Sequence, residues 1–585
     1  MLRTVAGPLS EGPAAFPAPA PYRGQADELV WDNLCFAVPA AHRPLFLDLH
    51  VPRPEAPVPG EAADTRGRPV IVWVHGGGWE AGSRRRLGGE LQSGWIIERM
   101  VLAGFAVALV DYRLTAEATF PAPADDVRAA VAWLAGHRDD FGLDTTRLAL
   151  WGESAGAHLA LIVGATAAAG IGEARVRAVV DWYGPVDLPA LYAGGGNGAL
   201  SGTWASPAAS PVNVITAAMP PTLIVHGRDD DLVPPAQSRQ LHELLDWLGV
   251  VNEHVESEGG HVFVGADVVP AMTNRTLDFL CTHLGHTRGP RPDPEVAMRA
   301  ARLREEGVRG PFETDDPHEA RRRVFDYRKE LNAVDYGVAS VEDVEIHTGV
   351  LRIPVRVQTP VAPTRTVVLY VHGGGWVTGD LDSHEKVAAR IAQSTPATVI
   401  QLDYRRAPEH PFPAAHDDVV AATAWVAARL DEYGADTLVL AGDSAGGGLA
   451  VAAALWARDN GVRVDALLLN HPAVDWTSSS RAGLPHTYFG GDDSLRLDPR
   501  VSPALADLRG LPPVFCGVGG LDRALEDVLR FAHSLREADV PVTMRIFPRL
   551  QHGYFGQAAI SRGADRAAEQ MCRDLSEFTW NREPR

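Results

Sequence analysis

The chain has 585 residues, too many for one hydrophobic core, and its 46% hydrophobic and 22% charged composition supplies apolar surface for two. A formal charge of -20 excludes nucleic acid or an anionic membrane as the main partner, since either would need a basic face. Cys35, Cys281, Cys516 and Cys572 lie far apart with no C-x-x-C pair, which predicts neither a zinc site nor a disulfide framework.

In chain order, residues 1–25 are rich in Pro and Ala without a continuous apolar segment and predict a flexible arm. No apolar run is long enough to span a bilayer, so a cytoplasmic location is expected. Residues 30–52 predict opening antiparallel strands, and residues 53–68, rich in Pro, Gly and acids, a surface loop. The apolar run 70–74 reads as a buried parallel strand ending in His75-Gly76-Gly77-Gly78-Trp79, and 106–110 as another ending in Asp111-Tyr112-Arg113. A helix is predicted over 120–136. Residues 148–160 then read as a strand, a sharp turn at Gly152-Glu153-Ser154-Ala155-Gly156 and a small-residue helix. The glycine cluster 194–198 lacks the Lys-Ser/Thr ending of a phosphate loop and is expected to be a flap or a plain loop. A strand at 222–225 leads to His226 and Asp229-Asp230-Asp231, a helix follows over 235–248, Gly259-Gly260-His261 comes after it, and a helix over 271–284 closes the unit. His242-Glu243 starts like a metalloprotease helix, but Asp246 stands where the second histidine belongs, so no metal site is expected.

Residues 285–292 read as a linker, after which Asp293-Pro294 and Asp316-Pro317 each open an amphipathic helix as N-cap and first-turn proline. These two helices have no counterpart before the first unit and are expected to form a cap over 293–345. The programme then repeats: a strand at 366–371 ends in His372-Gly373-Gly374-Gly375-Trp376, and one at 397–402 in Asp403-Tyr404-Arg405. After a helix at 412–430 comes the turn Gly442-Asp443-Ser444-Ala445-Gly446, then Asp522 and His552. The pairs His75/His372, Ser154/Ser444, Asp230/Asp522 and His261/His552 are separated by 297, 290, 292 and 291 residues. Near-constant offsets in one order mean an internal duplication. The expected organisation is two α/β domains with mostly parallel sheets, 26–284 and 346–585, the second preceded by its cap.

A serine hydroxyl is a poor nucleophile at neutral pH and needs a base, a group to orient that base and donors for the oxyanion. In an open parallel sheet, residues just past the strand ends share one crevice, so Ser154, Asp230 and His261 can meet there, as can Ser444, Asp522 and His552. Rivals to the acids are Asp229 and Asp231 in the first half and Glu526 and Asp527 in the second.

With HGGGW, DYRRAPEHPFPAAHDD, GDSAGG and DPRVSPALADLRGLPP, the second half resembles the hormone-sensitive-lipase-like esterases of the α/β-hydrolase fold. The first, with HGGGW, GESAGAHLA and HGRDDDLVP, resembles the related esterase and kynurenine-formamidase branch. The resemblance implies an oxyanion hole made by the backbone N–H groups of Gly77, Gly78 and Ala155, and of Gly374, Gly375 and Ala445. It implies a cofactor-free serine hydrolase with two Ser-Asp-His sites acting through acyl-enzymes on small to medium carboxylic esters. An acyltransferase, a lactone-forming enzyme or an amidase would use the same residues, and one half could be a binding pseudoenzyme, against which both histidines weigh. The expected partner is a small-molecule ester, and the two domains suit either a homodimer-forming subunit or an internal pseudo-dimer.

Overall fold

The computed structural model describes residues 20–26, 28–53, 67–87, 91, 95–167, 170–192, 204, 206–289, 292–310, 312–328, 330–477 and 484–580. Of the arm expected over residues 1–25, residues 1–19 lie outside them, while Tyr22 and Arg23 pair with Val30 and Leu29 as an edge strand rather than remaining an arm; the glycine cluster 194–198 and most of the loop expected at 53–68 also lie outside. The chain divides into two units, residues 1–290 and 291–585.

In the first unit the strands are β1 (Tyr22–Arg23), β2 (Glu28–Ala37), β3 (Leu45–Pro52), β4 (Arg68–Val74), β5 (Ala106–Val110), β6 (Leu143–Glu153), β7 (Val176–Trp182), β8 (Thr222–Gly227) and β9 (Asn252–Ser257). They form one sheet in the order β1-β2-β3-β5-β4-β6-β7-β8-β9. From β5 to β9 every neighbouring pair is parallel, while β1, β2 and β3 join antiparallel at one edge. Strands β4, β5 and the end of β6 read as continuous apolar runs because helices cover both faces, and Val70 to Val74 are fully buried. The second unit repeats this with β10 (Ser340–His347), β11 (Arg352–Thr359), β12 (Thr366–Val371), β13 (Thr398–Leu402), β14 (Thr437–Asp443), β15 (Ala466–Asn470), β16 (Val514–Gly519) and β17 (Val542–Phe547). Their order is β10-β11-β13-β12-β14-β15-β16-β17.

The chain goes β4 to β5 on one side and then returns across β4 to β6 on the other. That reversal opens a crevice at the carboxyl ends of β4 and β6, and of β12 and β14 in the second unit. Both serine turns sit there.

The expected helices form, three with trimmed ends, Ala122–Gly136, Ala236–Trp247 and, in the second unit, Ala414–Ala427, while Val269–Leu284 begins two residues earlier than expected. The β10–β11 hairpin is a feature that the motif reading passed over, and it takes residues 340–345 from the stretch expected as cap. Its strand β10 carries Glu342, Asp343 and Glu345 beside exposed Val341 and Val344, so it lacks the apolar alternation of a half-buried strand.

The two helices opened by Asp-Pro are Pro294–Glu305 and Pro317–Arg328. The Asp293 carboxylate caps the first by accepting the amides of Glu295 and Val296. The second is held to the sheet domain by Arg321, which donates to the carbonyls of Val377 (2.8 Å) and Ala407 (2.8 Å) and forms a two-pronged pair with Glu409 at 2.8 and 2.7 Å. At its end Arg328 donates to the carbonyl of Ser383 at 2.7 Å.

Hydrogen bonding from Arg321 holds the Glu409 carboxyl down from its ordinary value of 4.5 to about 2. A carboxyl lowered by folding adds stability that is present above its ordinary value and lost as the pH falls through the folded one. The helix Pro317–Arg328 is therefore expected to loosen as the pH drops from 4.5 towards 2, and Glu409→Gln to loosen it at neutral pH. Amide hydrogen exchange across that helix, against the Ala445–Asp459 helix as internal reference, measures both effects.

Candidate active sites

Each serine stands where a buried strand reverses directly into a helix. Ser154 has φ 51° and ψ -121°, and Ser444 φ 52° and ψ -120°, a left-handed-side conformation that costs energy for a residue with a Cβ. It persists because its surroundings fix it. A Cβ at Gly156 would overlap the carbonyl oxygen of Val74 at the end of β4, and one at Gly446 that of Val371 at the end of β12. Gly152 and Gly442 leave no room for a Cβ against the backbone of Gly156 and Gly446. The serine amides donate to Trp182 O at 2.9 Å and Asn470 O at 3.0 Å, which ties each turn to the next strand.

The structure brings the expected partners together in both units. His261 Nε2 lies 2.9 Å from Ser154 Oγ, and its Nδ1 2.7 Å from Asp230 Oδ2. His552 Nε2 lies 2.8 Å from Ser444 Oγ, and its Nδ1 2.9 Å from both oxygens of Asp522. The acid and histidine loops touch through their backbones: Asp229 N–H donates to Gly259 O at 3.1 Å, and Leu521 N–H to Leu550 O at 3.0 Å. Gly227 and Gly519 permit this approach, since a Cβ at either would overlap the carbonyl of Gly259 or Leu550. Of the rival acids, Asp527 pairs with Arg530 at 2.7 Å instead.

Burial would raise the Asp230 carboxyl, but hydrogen bonds from His226 and His261 outweigh it and hold it below the ordinary carboxylate range. At Asp522 burial is likewise outweighed, by the charge of and hydrogen bond from His552, and the carboxyl is lowered. Both acids are thus anions poised to orient a histidine.

The two glycine loops lie beside the serines: a Cβ at Gly76 would sit 3.3 Å from the Cβ of Ser154. Gly77 and Gly78 have φ of 112° and 62°, and Gly374 and Gly375 of 126° and 61°, where glycine alone is at ease. These angles turn the loop so that its carbonyls are used internally, Gly77 O accepting from Ala81 at 3.0 Å and Gly374 O from Thr378 at 2.9 Å. Among the described residues, the amides of Gly77, Gly78 and Ala155, and of Gly374, Gly375 and Ala445, donate to no protein acceptor. Such free amides at the start of a helix suit a developing anion.

Sequence reasoning missed the residues that hold these loops in place. The central acid of each serine turn is one: Glu153 Oε1 accepts Gly76 N–H at 3.2 Å, and Asp443 Oδ1 accepts Gly373 N–H at 3.0 Å. Burial pushes both carboxyls up. A tyrosine hydroxyl supports each, Tyr183 on Glu153 at 3.3 Å and Tyr370 on Asp443 at 2.5 Å. The tyrosines of the two Asp-Tyr-Arg runs, Tyr112 and Tyr404, donate to the carbonyls of His75 and His372 at 3.0 and 2.9 Å. An acid at the same place in both copies was the available signal. The Glu153–Tyr183 and Asp443–Tyr370 pairings join residues 30 and 73 positions apart, which no local spacing encodes.

Comparison with known proteins places each half. A family model described as BD-FAE matches residues 58–245, and one described as alpha/beta hydrolase fold matches residues 368–556. Esterase LipI of Mycobacterium tuberculosis is 38% identical over 224 residues, covering 35% of this chain and 70% of LipI. Carboxylesterase NlhH of the same species is 36% identical over 251 residues, covering 38% of this chain and 77% of NlhH. Among solved structures, a hyperthermophilic esterase from Pyrobaculum calidifontis aligns over 50% of this chain and 99% of its own at 29% identity, with a TM-score of 0.46.

The close approach at the serine turns has a direct consequence. Gly156→Ala and Gly446→Ala should each destabilise their unit by about 1–3 kcal/mol or more, the cost of overpacking against a backbone that cannot retreat. Urea unfolding followed for each variant measures the loss, and an unchanged midpoint would contradict the packing described.

Proposed function

Because this chain belongs to the α/β-hydrolase family and is a serine hydrolase of the carboxylesterase type, we propose that both of its halves are catalytic and cleave carboxylic esters through acyl-enzymes. The observation that carries this reading is the same contact made twice, a serine Oγ 2.9 and 2.8 Å from a histidine Nε2 whose other nitrogen meets an aspartate. His261 or His552 takes the serine proton as Oγ attacks the ester carbonyl. The resulting oxyanion is held by the amides of Gly77, Gly78 and Ala155, or of Gly374, Gly375 and Ala445, each such donor supplying roughly 3 kcal/mol of transition-state stabilisation. The tetrahedral species collapses, the C–O bond to the alcohol breaks, and the histidine returns its proton to the leaving oxygen. Water then attacks the acyl-serine by the same route, releasing the acid and restoring the serine.

The halves are proposed to differ in substrate. In the second unit the helices Pro294–Glu305 and Pro317–Arg328 act as a cap that encloses a medium acyl chain, supported by the Arg321 clamp on the carbonyl of Val377, two residues past Gly375. Among its described residues the first unit has no such helices before its sheet, which supports the reading that it suits smaller acyl groups.

Ser154→Ala, Ser444→Ala and the double variant, assayed on a series of aryl esters of rising acyl length, test this. Each single variant should lose about 10⁴-fold or more of one component of activity, the short-chain part with Ser154 and the longer-chain part with Ser444. A fluorophosphonate should label the parent at two serines, each single variant at one, and the double variant at neither. Full hydrolysis by the double variant would refute the proposal.

A further inference from the structure

His226 is fully buried, sits at the end of β8, and takes no part in the steps above. Its Nε2 lies 2.7 Å from the carbonyl of Val233 and 3.2 Å from Asp230 Oδ2, while its Nδ1 is hydrogen-bonded to Ser238 Oγ. With the carbonyl of Val233 and the Asp230 carboxylate both facing Nε2, that nitrogen carries a proton, so His226 is a donor towards the acid. The other groups around it are Asp181, a buried acid pushed up to about 7 by burial, and His254 on β9, lowered by burial.

Asp230 therefore sits in a cage of four donors. Its Oδ1 accepts the amides of Leu232 (2.9 Å) and Val233 (2.8 Å), and its Oδ2 accepts His261 and shares the Nε2–H of His226, at 3.2 Å, with the nearer carbonyl of Val233. With both oxygens doubly engaged the carboxylate cannot turn, and His261 Nδ1 meets one oxygen only. The second unit has Val518 four residues before its acid, where the first has His226, and valine donates nothing. There, among the described residues, Asp522 receives only the Ala524 amide at 2.8 Å besides its histidine, and His552 Nδ1 straddles both oxygens at equal distance. The two units thus supply a comparison within one chain: with the extra histidine the acid grips one way, and without it the grip is shared.

We propose that His226 is a positioning residue of the first site, holding the Asp230 carboxylate in the one rotation that aims His261 at Ser154, and that the second site works without such a group. The inference rests on the reading of Ser154, Asp230 and His261 as a working triad. Because base and nucleophile must be aligned in the transition state more closely than in the bound ester, loss of His226 should act on kcat and leave KM unchanged.

The test is made in the Ser444→Ala chain, so that only the first site turns over. His226→Val, which installs the residue of the other unit, should lower kcat on a short aryl ester by about 10- to 100-fold with KM unchanged. His226→Gln, whose amide can still donate to Asp230, should recover most of that loss. Ser238→Ala, which removes the partner of Nδ1 without enlarging the core at His226, should lower kcat in the same sense but less. The downfield proton resonance of the His261 Nδ1–H to Asp230 bond should move in His226→Val and return in His226→Gln. Parent kcat in His226→Val overturns the proposal; so does equal loss in the Val and Gln variants with the resonance in place, which would mean that His226 only fills space. If His226→Val does not fold, Ser238→Ala with parent kcat and an unmoved resonance overturns it instead. Failure of fluorophosphonate to label Ser154 in the starting chain would overturn the triad reading itself, and is scored before any variant is made.

Discussion

Everything in either unit depends on two backbones coming closer than a side chain allows. At Gly156 and Gly446 the serine helix begins in contact with the carbonyl end of β4 or β12, in a gap that a methyl group would close. That contact puts the serine and the glycine loop at one crevice and fixes the strained φ of Ser154 and Ser444, and among the described residues the amides of Ala155 and Ala445 are left without a protein acceptor. The neighbouring strand ends then need only deliver an acid and a histidine. Gly227 and Gly519 repeat the device between the acid and histidine loops, so both halves of each site are set by backbone proximity rather than by side-chain packing.

A backbone pressed this tightly leaves polar groups to satisfy, and the acid beside each serine does so. The amide of Gly76 or Gly373 would be buried without a partner if Glu153 or Asp443 were apolar, at a cost of about 1–3 kcal/mol. Burying a carboxyl is itself unfavourable, which is why a tyrosine hydroxyl meets it in each unit. The two copies reach that end differently. Tyr183 comes from the strand after the serine, where its ring also packs edge-on against His261 with centroids 5.0 Å apart. In the second unit His471 takes that place, edge-on to His552 at 4.4 Å, and the hydroxyl comes instead from Tyr370 on β12, where the first unit has Trp73.

The sequence made legible whatever depends on glycine and on order. The HGGG runs, the G-x-S-x-G turns and the near-constant offsets from Ser154 to Ser444, Asp230 to Asp522 and His261 to His552 expose the duplication and name the side chains that meet at each serine. The N-caps Asp293 and Asp316 marked their helices because Pro at the first turn leaves little else to read. What stayed hidden is what alternation or local spacing does not encode. The β10–β11 hairpin lies at the sheet edge, with β10 exposed along most of its length, and so shows no apolar period. His226 served in the sequence only as a marker for the register of Asp230, since its contact with that acid depends on a turn whose closure no spacing reveals.

Set side by side, the units show which features geometry fixes and which it leaves open. The serine dihedrals agree to within a degree, the serine–histidine contacts to 0.1 Å, and the glycine loops take the same hand. One layer further back the agreement ends: where the first unit has His226, Tyr183 and Trp73, the second has Val518, His471 and Tyr370. The reacting atoms tolerate little displacement, so the residues that touch them are held, whereas a group that acts through another has several equivalent solutions. Two copies that began alike are free to differ in how their acids are gripped and their loops braced while keeping the same serine–histidine–aspartate contacts. The second also carries the helices Pro294–Glu305 and Pro317–Arg328, so the differences among the described residues lie outside the serine–histidine–aspartate contacts rather than within them.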